Sequence, residues 1–263
     1  MRGEAVRCIV VLCLVFGLVG VVSAAEKPRV ELGSEALVPF PGAGSVGEAV
    51  RVIDSHGFEA AEGFTLGPLN GQVGWTTFAA NPDIPIVWNT NPATGAQHIV
   101  LSGDPAVGSG NYLGGFSPDL GAVPVDVGEV TINVFISAAG GANYLVNAQS
   151  PSQSLTTWRV EYDWNGNIFI SDDVGSGFEM VDTGVPWVPG VYHALRVVID
   201  PVANTIDYFI DGSPLYSGVV PGGTAVEQVV LLHDNWNVDD YGLFDDLYIN
   251  TEYPVNLQSF SVE

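Results

Sequence analysis

From residue 97 onward, apolar side chains recur at every second position in run after run. The clearest are EVTINVFI at 129–136, TTWRVEYDW at 156–164, YHALRVVID at 192–200 and NTIDYFID at 204–211. A period of two places alternate side chains on opposite faces of an extended strand. These runs are rich in Val, Ile, Thr and aromatic residues, and Gly, Pro, Asn and Asp separate them, which is the signature of an antiparallel all-β domain. The pattern predicts strands at 97–102, 128–137, 143–149, 155–164, 167–172, 190–199, 205–211, 226–233 and 242–250. Helical periodicity is nearly absent beyond the first 25 residues.

Alternation also predicts a core. Val130, Ile132, Val134 and Ile136 share one face of their strand, as do Trp158, Val160 and Tyr162, His193, Leu195, Val197 and Ile199, and Ile206, Tyr208 and Ile210. Two sheets that each bury one face against the other satisfy all four sets. Asn165-Gly166 fits a two-residue hairpin turn with positive φ at both positions, and Asp211-Gly212 closes the next pair of runs.

Other stretches break the pattern. Residues 26–54 mix Pro, Gly and Ala irregularly and read as an N-terminal arm, residues 55–250 as the sandwich, and 251–263 as a C-terminal tail. NPDIPIVWNTNPATG at 81–95 holds three prolines and three asparagines and reads as a long loop, a kind of segment that often carries function.

The first 25 residues are a different kind of sequence. Arg2 and Arg7 precede an apolar run from Cys8 to Val22 that ends in Ser23-Ala24-Ala25, so residues 1–25 are expected to be a cleaved secretory signal and the mature chain to be extracellular. No later segment approaches the roughly 20 apolar residues of a membrane-spanning helix. The two cysteines, Cys8 and Cys13, both lie in that signal, so no disulfide or thiolate site is expected in the domain. With 7 basic and 30 acidic residues the formal charge is −23, a field that disfavours nucleic acid and anionic membranes as partners.

YHALRVVIDPVANTIDYFIDG at 192–212, FEAAEGFTLGPLNGQVGW at 58–75 and YGLFDDLYI at 241–249 together resemble the paired, opening and closing strands of concanavalin A-like lectin/glucanase domains, laminin G-like modules among them. The resemblance implies a two-sheet antiparallel β-sandwich, a jelly roll. That fold hosts lectins, glycoside hydrolases, polysaccharide lyases and adhesion modules, so the site must decide the function. The resemblance also implies a structural calcium ion held by Asp245 of the closing strand and Glu59 of the opening one, with carbonyls near Gly57 and Asp246 completing its oxygen shell.

Three functions compete. Sugar binding needs an aromatic platform and a few planar polar groups; Asn133, Asn147, Gln149, Arg159 and Glu161 are expected on one outward sheet face, with His233 and Trp236 at its rim. A hydrolase acting on a concave face would use Glu161 and Asp163, but a retaining pair also needs a proton donor nearby, and here Asn165-Gly166 follows. A lyase would draw on Gln149, Arg159 and His233. The third reading is a structural or adhesive module with no small-molecule site. The leading expectation is a secreted, non-catalytic carbohydrate-binding sandwich whose partner is an extracellular glycan.

Overall fold

The computed structural model describes residues 56–119, 129–175, 177–200, 203–220 and 226–250. The signal at 1–25, the arm at 26–54 and the tail at 251–263 lie outside the described residues, and so does the expectation of secretion that rests on them.

The strands in chain order are β1 (Gly67–Pro68), β2 (Thr76–Thr77), β3 (Ile86–Trp88), β4 (His98–Ser102), β5 (Leu113–Phe116), β6 (Glu129–Ile136), β7 (Tyr144–Ser150) and β8 (Leu155–Tyr162). They continue as β9 (Asn167–Asp173), β10 (Phe178–Pro186), β11 (Tyr192–Asp200), β12 (Thr205–Ile210), β13 (Ser213–Val219), β14 (Gln228–His233) and β15 (Tyr241–Asn250). An eight-stranded sheet has the order β1-β3-β4-β15-β6-β11-β12-β13, and a seven-stranded sheet the order β10-β9-β8-β7-β14-β5-β2. The fold is a two-sheet antiparallel β-sandwich, as the alternation requires.

Every residue of the four inward sets is buried, with Val130, Ile132, Val134, Leu195, Val197 and Tyr208 of one sheet in the same cluster as Tyr144, Val146, Trp158, Val160 and Leu231 of the other. Polar links cross the core as well. Tyr208 Oη donates to the Ser171 carbonyl at 2.9 Å. Asp172 reaches from β9 to the far edge strand, where it accepts the Tyr216 hydroxyl at 2.7 Å and the Val219 N–H at 2.8 Å.

Several strands escape the alternation rule. β3 lies inside the expected loop 81–95. β5 reads Leu-Gly-Gly-Phe, and a Cβ at Gly114 would collide with the Leu231 carbonyl oxygen, so glycine is what lets β5 pair with β14. β10 and β13 are edge strands with mixed exposure along their length. The expected opening strand at 58–75 shrinks to the two residues of β1, with a single bridge of His56 to Leu247 just before it; the rest coils through short 3-10 turns around the buried Phe58, Phe64 and Trp75.

The two hairpins differ. Asp211 (φ 51) and Gly212 (φ 76) form the two-residue turn between Ile210 and its partner Ser213. At Asn165-Gly166 only Gly166 has positive φ (94). There Gly166 N–H donates to the Asp163 carbonyl and Asp163 N–H to the Asn167 carbonyl, which is a three-residue loop with glycine in the left-handed position.

Candidate functional site

Strand register sets two rows of side chains across the outer face of the seven-stranded sheet. Arg159 faces Asn147, which faces Val230, which faces Phe116. One step along, Glu161 faces Leu145, which faces Leu232. Phe116, Leu145, Val230 and Leu232 form an apolar cluster separate from the main core, flanked by Phe78 and Tyr112. Phe78 stacks on Phe116 with ring centres 4.7 Å apart.

The polar members are recessed. Arg159 is 3% exposed, and its guanidinium lies 5.6 Å from the centre of the Phe178 ring. Burial lowers the guanidinium's pKa, a pull that the Tyr112 and Glu161 side chains oppose. Burial likewise raises that of the Tyr112 hydroxyl, reinforced by Glu161. Glu161 Oε1 accepts from Asn143 Nδ2 at 2.7 Å, and Asn143 Oδ1 takes the Trp164 N–H at 2.9 Å. Gln149 Nε2 donates to Gln228 Oε1 at 2.6 Å. Three atoms on this face are buried without any hydrogen-bond partner: Thr76 Oγ1, in the row of Phe116, and Arg159 Nε and Asn147 Oδ1, a donor and an acceptor on directly paired residues. Such groups cost free energy unless something completes them.

Not every expected site residue joins this face. Asn133 belongs to β6 of the other sheet, where its Nδ2 donates to Asp246 Oδ2 at 2.8 Å. Alternation fixes in against out but not which sheet a strand enters, and Asn133 must be removed from the group. His233 points inward. Its ring lies edge-on to Tyr144 at 4.9 Å, its Nδ1 accepts the Asn235 N–H at 2.9 Å, and its Nε2 sits 3.4 Å from Asp240 Oδ1. Burial opposes ionisation of Asp240, yet the His233 ring N–H, the Ala142 N–H and the Tyr144 hydroxyl hold its carboxyl below the usual range. This is a packed core network, so neither a rim ligand nor a lyase base sits at His233. Asp163 lies past the end of β8, and its Oδ1 accepts the Asn165 N–H at 3.0 Å inside the hairpin loop, apart from the Glu161 row. Trp236 is exposed in the segment after β14, its N–H held by Asp234.

Glu59 and Asp245 do converge, but on a loop. Glu59 Oε1 accepts the N–H groups of Ala96 and Gln97 at 2.7 and 3.0 Å. Asp245 Oδ2 accepts those of Ala93 and Thr94 at 2.8 and 3.2 Å, and its Oδ1 that of Asp246 at 2.8 Å. Calcium requires six to eight oxygens, whereas these carboxylates face N–H dipoles, and among the described residues no three His, Cys, Asp or Glu side chains gather to hold an ion. The residues do not fit calcium; backbone amides of the 92–97 segment take the place the cation was expected to fill.

Tyr112 and Asn143 were missing from the sequence reading. Asn143 shares parity with Leu145 and Asn147 and stands one residue before the start of β7, so the signal was there. Tyr112 sits in a Gly-Asn-rich turn without periodicity, and nothing in the sequence singles it out.

No family model matches this chain, and no curated protein matches its sequence. Among solved structures, a sialidase superposes on 68% of the chain with a TM-score of 0.51 at 12% identity, the match spanning 17% of the sialidase's own length. The fold is the concanavalin A-like jelly roll. Other jelly rolls that superpose include an endo-β-1,4-glucuronan lyase from the fungus Trichoderma reesei, over 71% of this chain and 94% of that one (TM-score 0.47, 11% identity). A carbohydrate-binding module from Bacillus subtilis does so over 66% and 93% (TM-score 0.41, 9% identity).

Proposed function

We propose that this concanavalin A-like jelly roll is an exported, non-catalytic glycan-binding domain, with the sugar lying on the outer face of the seven-stranded sheet. What carries the reading is the paired orphan donor and acceptor, Arg159 Nε and Asn147 Oδ1, between the Phe116 cluster and Glu161. Neighbouring hydroxyls of one sugar each donate and accept, so a single diol would complete both atoms while its C–H face rests on the half-buried Phe78 and Tyr112 rings that flank the cluster. Binding is favoured over hydrolysis because the two carboxylates expected of a hydrolase are separately engaged, Glu161 by Asn143 and Asp163 by its own turn.

The test is titration calorimetry with an oligosaccharide chosen on a glycan array, run beside a reducing-end release assay. Arg159→Ala and Asn147→Ala should each weaken binding by about 1–3 kcal/mol. Wild-type affinity in both variants would overturn the assignment. Release of reducing ends that Glu161→Gln abolishes would move the chain to the hydrolases.

A further inference from the structure

The segment 81–95 and the strands it leads into build a cavity of about 240 Å³ on the outer side of the eight-stranded sheet. Trp88 of β3 and Tyr241 of β15 form walls, Val100 and Leu243 give it apolar surface, and Asn91 and His98 line it as well. Trp88 pairs with His98 and Val100 with Leu243, so the lining is one contiguous patch of three neighbouring strands.

Two observations mark this patch as built for a ligand. The first is a pair of aromatic rings that are exposed yet held. Trp88 is 43% exposed and its Nε1 donates to Thr90 Oγ1 at 3.1 Å; Tyr241 is 41% exposed and stacks on Phe135 with ring centres 6.2 Å apart and planes 20° from parallel. The wall carrying Asn91 is fixed too, since the Asn91 carbonyl accepts the Tyr192 hydroxyl at 2.8 Å and Asp245 and Glu59 hold the amides that follow. The second is His98, which is fully buried with neither ring nitrogen hydrogen-bonded. A polar side chain left unsatisfied at the edge of a preformed cavity is a group awaiting a partner.

We propose that this cavity binds a neutral sugar residue, its C–H face against Trp88 and Tyr241 and its hydroxyls meeting Asn91 and His98. The carboxamide of Asn91 and the neutral imidazole of His98 each offer a donor and an acceptor, which is what a hydroxyl needs. Burial pushes the His98 ring below its ordinary pKa, which keeps it neutral. Asp245 and Asp246 behind the loop, and the acidity of the whole chain, disfavour uronates and sulfated sugars here. The site lies on the other sheet from Arg159 and stands without it. With both occupied, one domain would bridge two glycan chains, gaining avidity from effective concentration.

The experiment titrates the full chain with neutral hexaoses of glucose, mannose, galactose and xylose at millimolar concentration, following tryptophan fluorescence and calorimetric stoichiometry. At least one hexaose should bind, Trp88→Ala and Tyr241→Ala should each weaken it about tenfold or more, and Trp88→Phe should restore most of the affinity. The component of binding that Trp88→Ala removes should persist in Arg159→Ala, whatever that variant does to the other face, so a failure at either face is read separately. The inference is overturned if no hexaose binds, if Trp88→Ala binds like the wild type while folded by circular dichroism, or if tetramethylammonium binds in place of every sugar.

Discussion

The acids that pin the 93–97 loop to the eight-stranded sheet and the recessed polar row of the seven-stranded sheet use their polar groups in opposite ways. On the eight-stranded side Glu59, Asp245 and Asp246 are engaged by backbone amides, Thr94 and Asn133, and they hold a loop in place. On the seven-stranded side Arg159 Nε and Asn147 Oδ1 are buried, more deeply than Glu59 and Asp246, and have no hydrogen-bond partner. A buried polar group with all its bonds made is structural, whereas one with bonds missing on an outer face is a candidate for completion by a ligand. Residue type alone would have suggested the reverse here, since the acids on the first side look like a metal site.

That contrast can be broken most forcefully at Asp245. Asp245→Ala strands three N–H donors, those of Ala93, Thr94 and Asp246, and should destabilise the fold by about 3 kcal/mol or more in urea unfolding, with or without added calcium. An equal loss from chelating calcium out of the wild type would restore the ion to the site. Arg159→Met should behave differently. It removes a recessed charge whose Nε makes no bond, so stability should stay within about 1 kcal/mol of the wild type. A loss like that of Asp245→Ala would show that Arg159 is structural after all.

The smallest effect is in pH. Burial, only partly offset by the amides of Thr94, Asp246 and Ala93, raises the Asp245 carboxyl to about 6. Because the folded pKa lies above the unfolded one, the folded state holds its proton more tightly, and this group costs stability progressively as pH rises from about 4 to about 6. Asp245→Asn removes that titration. The wild type's melting temperature relative to Asp245→Asn should therefore fall over this window; a flat difference would mean the amides, not burial, set the carboxyl's acidity.

How far the sequence could be read depended on where each strand sits. β6, β11 and β12 alternate cleanly because one of their faces meets the core and the other is partly open, and their inward sets were legible residue by residue. β14 is buried on both faces, so Gln-Val-Val-Leu-Leu-His carries no alternation and hid the inward turn of His233. Asn133 was misplaced for a different reason: sheet membership depends on pairing between residues far apart in sequence, β6 with β15 and β11, which local periodicity does not encode. The Arg159 and Glu161 parity was right, yet both are recessed where solvent-facing side chains were expected. For Glu59 and Asp245 the sequence showed the acids and their convergence, but not that loop amides, whose position depends on the chain's path between β3 and β4, would meet them first.

Asp172 does one thing more at the flank of the sandwich. β13 is the open edge of the eight-stranded sheet, a row of backbone groups to which a strand of another molecule could attach. Its Pro214 offers no N–H, its pairing slips between Tyr208 and Phe209, and near its other end the Val219 N–H is already taken by Asp172 from the opposite sheet. A neighbouring molecule therefore meets an interrupted edge, with a donor missing at one end and another capped at the other. At this edge, crowded molecules find no continuous ladder along which to zip one sheet onto the next, and pairing there is resisted by the same carboxylate that ties the two sheets together.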